Sequence, residues 1–184
     1  MRAFVAIPID EPLRRRIGEI RRRLERIDAD VRWVALENLH LTLKFLGELD
    51  EPTVVSLRER LRSEAHRSRP FEIRLSGVGR FPPSGVSRVI WIGCRGEVSC
   101  MEDLARGVEQ AALEIGVPKE GRDFSPHLTI GRVKSPRNSK PLAAAVHGEE
   151  EVGSQRVESF TMYRSTLTPT GPIYDPVELF RLGP

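Results

Sequence analysis

Lysine is nearly missing from this chain. Of 29 basic residues only four are lysine, at Lys44, Lys119, Lys134 and Lys140. Cysteine is scarcer still. Cys94 and Cys100 are the two present, and their spacing fits no metal or redox motif. That excludes a disulfide-built secreted scaffold and makes a reducing, cytoplasmic setting the expectation. No apolar run is long enough for a membrane span. The short run Ala3 to Ile9 stops at Asp10-Glu11-Pro12 and has no small-residue cleavage site after it. It reads as a first strand, and no membrane partner is expected.

What is present is arginine. The formal net charge is +3 and the pI about 9.2. Arg carries a planar fork suited to phosphate, so a polyanionic partner is one reading. The other is an Arg-rich surface set by base composition or heat adaptation. A length of 184 residues with 39% hydrophobic content predicts one domain with a real core.

In chain order, Asp10-Glu11-Pro12 starts a helix whose buried stripe is Leu13, Ile17, Ile20, Leu24 and Ile27. Its other face holds Arg14, Arg15, Arg16, Arg21, Arg22, Arg23 and Arg26, either a solvated surface or a contact to a nucleic-acid backbone. Val31 to Leu36 reads as a short strand, and His40 to Leu46 as another, stopped by Gly47. Asp50-Glu51-Pro52 opens a second helix. Phe71 to Phe81 is a strand. Pro82 to Ser87 is a loop and the expected junction between lobes. A strand from Arg88 to Cys94 precedes a helix over Met101 to Ile115, ended by Gly116 and Pro118. Glu120 to Phe124 connects to a strand from Ser125 to Val133. Leu142 to Val146 reads as a short helix and Glu149 to Gly153 as an acidic loop. Val157 to Leu167 reads as one strand, Pro169 to Pro172 as a turn, and Val177 to Leu182 as a last strand.

One four-residue stretch occurs twice: His40-Leu41-Thr42-Leu43 and His127-Leu128-Thr129-Ile130. Strand side chains alternate between faces. Each His therefore shares a face with its Thr, about 7 Å along the strand. Strict alternation puts Leu41, Leu43 and Phe45 together on the opposite face. The motifs are 87 residues apart. Arg2 and Val89 each lie 38 residues before a motif histidine, and Phe71 and Glu158 each lie 31 after one. A duplicated unit is implied, with pseudo-repeats at about 1–81 and 88–168, a C-terminal strand at 174–182, and an approximate two-fold axis bringing the histidines to one groove. Two copies of this length do not make a solenoid.

Two imidazoles and two hydroxyls suit phosphodiester cleavage. Imidazole titrates near pH 6.5, so one His can be neutral while its twin is charged. Each proton transfer contributes about 10²–10⁴ in rate. Thr hydroxyls can donate to phosphate oxygens. A zinc site would need a third ligand. Glu37 and Asp123 are near in sequence, but alternation puts neither on its neighbour's face, so no metal is expected. His66 and His147 lack a Thr partner and read as surface residues.

The strings Asn38 to Gly47 (NLHLTLKFLG) and Pro126 to Arg132 (PHLTIGR) resemble the two signatures of the 2H phosphoesterase superfamily, in its RNA 2′,3′-cyclic phosphodiesterase or 2′-5′ RNA ligase branch. Further matches are Arg2 to Ile7, Arg88 to Gly93, Ser165 to Leu167, Gly171-Pro172 and Tyr174. The resemblance implies an α+β fold of two antiparallel sheets around a central groove, with helices outside and pseudo-two-fold symmetry. It implies hydrolysis of a terminal 2′,3′-cyclic phosphate to a 2′-phosphomonoester, and the reversed 2′-5′ ligation. Carried over, His40 is the proton donor, His127 the proton acceptor, and Thr42 and Thr129 hold the phosphate. The implied partner is RNA with a cyclic-phosphate end, or a small cyclic nucleotide, met by a monomer without cofactor. Arg132 could reach a phosphate only if a bulge turned it round. Phe81 or Tyr163 could stack on a base, whereas Phe45 reads as core. The alternatives are another cyclic or 2′-5′-linked nucleotide as substrate, or a binding module without turnover.

Overall fold

The computed structural model describes residues 1–121, 124–146, 148–169 and 171–184. The readings made above of Asp123, His147 and Thr170 lie outside the described residues. The elements run β1 (Arg2–Pro8), α1 (Glu11–Glu25), β2 (Val31–Trp33), a 3-10 turn (Leu36–Asn38), β3 (His40–Glu48), α2 (Glu51–Arg67), β4 (Phe71–Phe81), β5 (Val89–Gly96), α3 (Val98–Leu113), β6 (His127–Val133), α4 (Ser139–Ala145), β7 (Glu151–Val157), β8 (Ser159–Thr168) and β9 (Gly171–Arg181). All observed pairings are antiparallel. One sheet has the order β3-β1-β8-β9 and the other β2-β6-β5-β4-β7. The α+β architecture of two antiparallel sheets with four helices is the expected one.

The helices form for local reasons. The Asp50 carboxylate accepts from Thr53 N at 2.9 Å and caps α2. In α1, Pro12 occupies the first turn, and Leu13, Ile17, Ile20 and Leu24 are buried. The arginines opposite are largely neutralised. Arg14 and Arg15 pair with Glu11, Arg16 with Glu19, and Arg21 with Glu25. Glu150 takes Arg16 and Arg23 from outside the helix. This face is a solvated lattice of ion pairs. Leu57, Leu61, Ile73, Val108 and Leu128 are fully buried between helices and sheets, each contributing about 1.5–3 kcal/mol of burial.

Several boundaries differ from the sequence reading. Val31 to Leu36 is a strand only to Trp33, then a 3-10 turn. Residues 82–87 do not separate lobes. They close a hairpin in one sheet, where Phe81 pairs with Val89. The acidic loop expected at Glu149 to Gly153 is partly strand: β7 lies along β4, with Arg74 clasping Glu151 at 2.6 Å. The strand expected over Val157 to Leu167 is β8, which starts two residues later, at Ser159. β7 ends at Val157 in one sheet and β8 begins at Ser159 in the other. Each sheet thus draws on both halves of the chain. β4 from the first half joins β5, and β8 from the second half joins β1.

Candidate active site

Both His-Thr strands carry a bulge at the same place. Opposite β3, Val5 pairs with Lys44 but Ala6 pairs with Thr42, so Leu43 is the extra residue. Opposite β6, Ile90 pairs with Gly131 but Trp91 pairs with Thr129, so Ile130 is extra. A bulge puts two successive side chains on one face and shifts the alternation beyond it. Leu43 and Lys44 therefore both point into the core, as does Ile130, and beside it Gly131 leaves the room that Val31 and Trp33 fill. The next residue of each strand turns back to the groove. That residue is Phe45 in β3 and Arg132 in β6. Phe45 is 56% exposed, which corrects its reading as core. Arg132 has the bulge it needed.

Each histidine is held the same way. His40 Nδ1 lies 2.7 Å from Asn38 O, and His127 Nδ1 lies 2.7 Å from Ser125 O. A carbonyl only accepts, so Nδ1 carries the proton in both rings. Nε2 is left to act as acceptor when neutral and donor when charged. Asn38 is itself tied down, its Nδ2 donating to Pro172 O at 3.0 Å. The motif threonines are half-buried on the face of their histidines.

Aromatic rings wall both imidazoles. Phe4 lies 4.8 Å from His40, and Tyr174 meets His40 edge-on at 5.3 Å. Tyr163 stacks on Phe4 at 5.2 Å. Around His127, Phe81 stands edge-on at 5.3 Å and also meets Trp91 at 5.2 Å. Trp91 lies flat over β4, where a Cβ on Gly79 would come within 2.2 Å of its ring. Only glycine permits that approach. Of the two candidate stacking residues, Phe81 borders His127, and Tyr163 stands behind Phe4. Tyr163, His40 and Tyr174 line one small cavity of about 60 Å³ with Arg14 and Glu37. Phe4, Trp91 and Tyr174 were not assigned a role from sequence. A signal existed, since Phe4 and Trp91 are spaced by the motif period.

The two strands pack beside one another, and their charges interact. Burial pushes the His40 imidazole below its usual pKa. Its contact with Asn38 O opposes that, and the Arg132 guanidinium adds to it. Burial raises the Tyr174 hydroxyl, again with Arg132 in range. Arg132 thus faces the groove from β6 toward residues of the other sheet. Among the described residues, no three His, Cys, Asp or Glu side chains gather as a metal cluster, and no helix is long and apolar enough to cross a membrane.

Two open antiparallel sheets, each presenting a His-x-Thr strand to the space between them, are the architecture of a two-histidine phosphoesterase. The family described as LigT like Phosphoesterase matches this chain over residues 7–91 and 98–174, and the chain belongs to it. The RNA 2′,3′-cyclic phosphodiesterase of Methanothermobacter thermautotrophicus is 42% identical over 185 residues, 99% of each chain. The protein of that name from Archaeoglobus fulgidus is 38% identical, covering 98% of this chain and 99% of the relative. A crystal structure of a Thermus thermophilus protein aligns with a TM-score of 0.82 at 31% identity, over 99% of this chain and 98% of that one. E. coli LigT complexed with 3′-AMP aligns at 0.79 and 29%, over 98% and 97%.

Proposed function

We propose that this protein is an RNA 2′,3′-cyclic phosphodiesterase that works by paired acid–base catalysis without a metal. The observation that carries the reading is the matched clamp on the two imidazoles, each fixed through Nδ1 to a carbonyl two residues back. That clamp leaves two Nε2 atoms as the proton carriers. The names of the relatives support the substrate class.

In this scheme the terminal cyclic phosphate lies between the motifs, its non-bridging oxygens taking hydrogen bonds from Thr42 and Thr129. His127 Nε2 removes a proton from water as the water oxygen bonds to phosphorus. The bond from phosphorus to the 3′-oxygen breaks, and His40 Nε2 protonates that oxygen. The products are a 2′-phosphomonoester and a free 3′-hydroxyl. The two Thr hydroxyls and the charged His40 supply the donors where the phosphorane gathers negative charge, and Arg132 lends positive charge to the groove beside them. Phe81 offers a face for the base. With a 5′-hydroxyl in place of water, the same transfers join two RNA ends through a 2′-5′ bond.

His40 is biased toward its neutral form by its burial, and an acid must be charged. An entering phosphate anion resolves this, because it offsets Arg132 and favours the imidazolium.

Phosphorus NMR of a cyclic-phosphate-ended RNA, incubated with the protein in chelator, tests the proposal. A 2′-phosphate product is expected. A 3′-phosphate product contradicts the leaving group, and no turnover in chelator contradicts metal independence. A panel containing other cyclic and 2′-5′-linked nucleotides separates the alternative substrates, and E. coli LigT, solved with ATP and with NADP+, motivates including larger nucleotides.

A further inference from the structure

Arg32 and Arg132 are directly opposite each other across the β2–β6 ladder. Val31 and Trp33 pack against the core, where a Cβ on Gly131 would meet both. Arg32 between them therefore faces the other way, onto the groove side that Arg132 shares. Both guanidinium groups are exposed, and neither makes an ion pair with a described residue. Arg22, Arg26, Arg88 and Arg95 also lack such a pair, so the mark of this site is the direct opposition of two unpaired arginines across one ladder; the likewise opposed Arg74 and Arg95 differ, because Arg74 holds Glu151. Like charges directly opposed in a sheet repel. Two unneutralised arginines side by side, Arg132 on the strand of Thr129 and Arg32 on the strand next to it, form a site completed by an anion.

We propose that Arg32 and Arg132 together grip the backbone phosphate immediately 5′ of the cyclic end, so that the groove prefers an RNA chain to a free cyclic mononucleotide. This rests on the reading of the site as a cyclic-phosphate groove. Because Ile130 is bulged out, Arg132 lies two ladder steps beyond Thr129, opposite Val89 and Trp91 respectively, about 7 Å along the strand. Arg32 is the contribution of the edge strand beside it. A mononucleotide occupying the motif threonines has nothing to offer Arg32. A chain continuing from the 5′-oxygen does. The paired forks suit one phosphate, each giving parallel N–H donors.

The experiment compares kcat/KM for a nucleoside 2′,3′-cyclic phosphate with that for a dinucleotide carrying the same cyclic end, in wild type, Arg32→Ala and Arg32→Lys. The ratio of dinucleotide to mononucleotide should fall about tenfold in Arg32→Ala, through KM, and recover in part with Lys. The salt dependence of the dinucleotide KM should flatten by a log–log slope of about 0.7. A local folding defect would lower both substrates together and leave that slope alone. An unchanged ratio, or a parallel loss on both substrates, overturns the proposal. A cyclic mononucleotide carrying a 5′-phosphate should recover much of the preference in wild type and not in Arg32→Ala, because the pair reads that phosphate; no recovery in wild type overturns the grip. If wild type turns over neither substrate, the functional reading fails on its own. Calorimetric binding of a 2′-phosphate-ended dinucleotide then decides Arg32: tighter binding by wild type than by Arg32→Ala upholds the grip, and equal affinity overturns it.

Discussion

Phe45 and Arg132 hold equivalent places, each fifth after its motif histidine and each turned to the groove by a one-residue bulge in its strand. The duplicated scaffold therefore presents an aromatic ring on one side and a cation on the other. The two halves share a backbone device but differ in the side chain it presents.

The bulge at Leu43 has a direct consequence for stability. Phe45→Ala should change unfolding free energy by no more than about 0.5 kcal/mol, because the ring is exposed. Leu41→Ala should cost about 2–5 kcal/mol, because Leu41 is fully buried. Urea denaturation measures both, and a large loss at Phe45 would restore the unbroken alternation.

Removing either imidazole should be severe. His40→Ala and His127→Ala should each lower kcat on a cyclic phosphate by about 10²-fold or more. Thr42→Val and Thr129→Val remove donors to the phosphate, and up to about 10²–10³ is at stake for each. Single-turnover kinetics separates these losses from slower product release. A rate within a few-fold of wild type removes that residue from the scheme.

The pH profile carries the assignment of acid and base. kcat/KM reports the free protein. If His40 is the acid, its limb falls as pH rises, and falls early, because His40 titrates below the ordinary histidine value. Arg132→Gln removes one cause of that depression, so the limb should move to higher pH. NMR titration of the His40 ring should move with it. A His40 titration found on the opposite limb would make it the base. The same depression links to folding: the unfolded chain binds this proton near pH 6.5 and the folded chain only below that. Stability from neutral His40 is complete above about pH 6.5 and declines as pH falls through the folded value.

A buried ion pair anchors β3 to α3. The Lys44 ammonium is fully buried and donates to Glu109 Oε1 at 2.9 Å, Glu109 Oε2 at 3.0 Å and Pro118 O at 3.1 Å. Glu109→Ala should cost about 3–5 kcal/mol, since it strands a buried charge. Lys44→Met should cost less, because Glu109 keeps some solvent and the amide N–H of Glu120. Equal losses would mean that packing, and not the unpaired charge, dominates.

The motif pair was legible because side-chain spacing along a strand is a local property. His40 with Thr42, and His127 with Thr129, share faces whatever lies next door. The bulges were not legible. Whether Leu43 or Ile130 is an extra residue depends on how β1 and β5 count against them, and nothing in the four-residue stretch encodes that. Phe45 was misplaced for this reason, and the Arg132 reading stayed conditional on a bulge. The crossing at Glu158 was hidden similarly. β7 and β8 are both strand-forming sequences with one residue between them, so the change of sheet leaves no break in pattern.

The order of apolar and polar residues, and the 87-residue repeat, determined which segments became helices and strands and which two histidines share a strand face with a threonine. They did so because burial of an apolar face acts over a few residues at a time. Pairing partners decided the rest: which strand each sheet borrows from the other half, where a ladder slips by one, and so which of Lys44 and Phe45 meets the groove. Hydrogen-bond register between distant segments is a property of two strands together, and only the folded chain contains both.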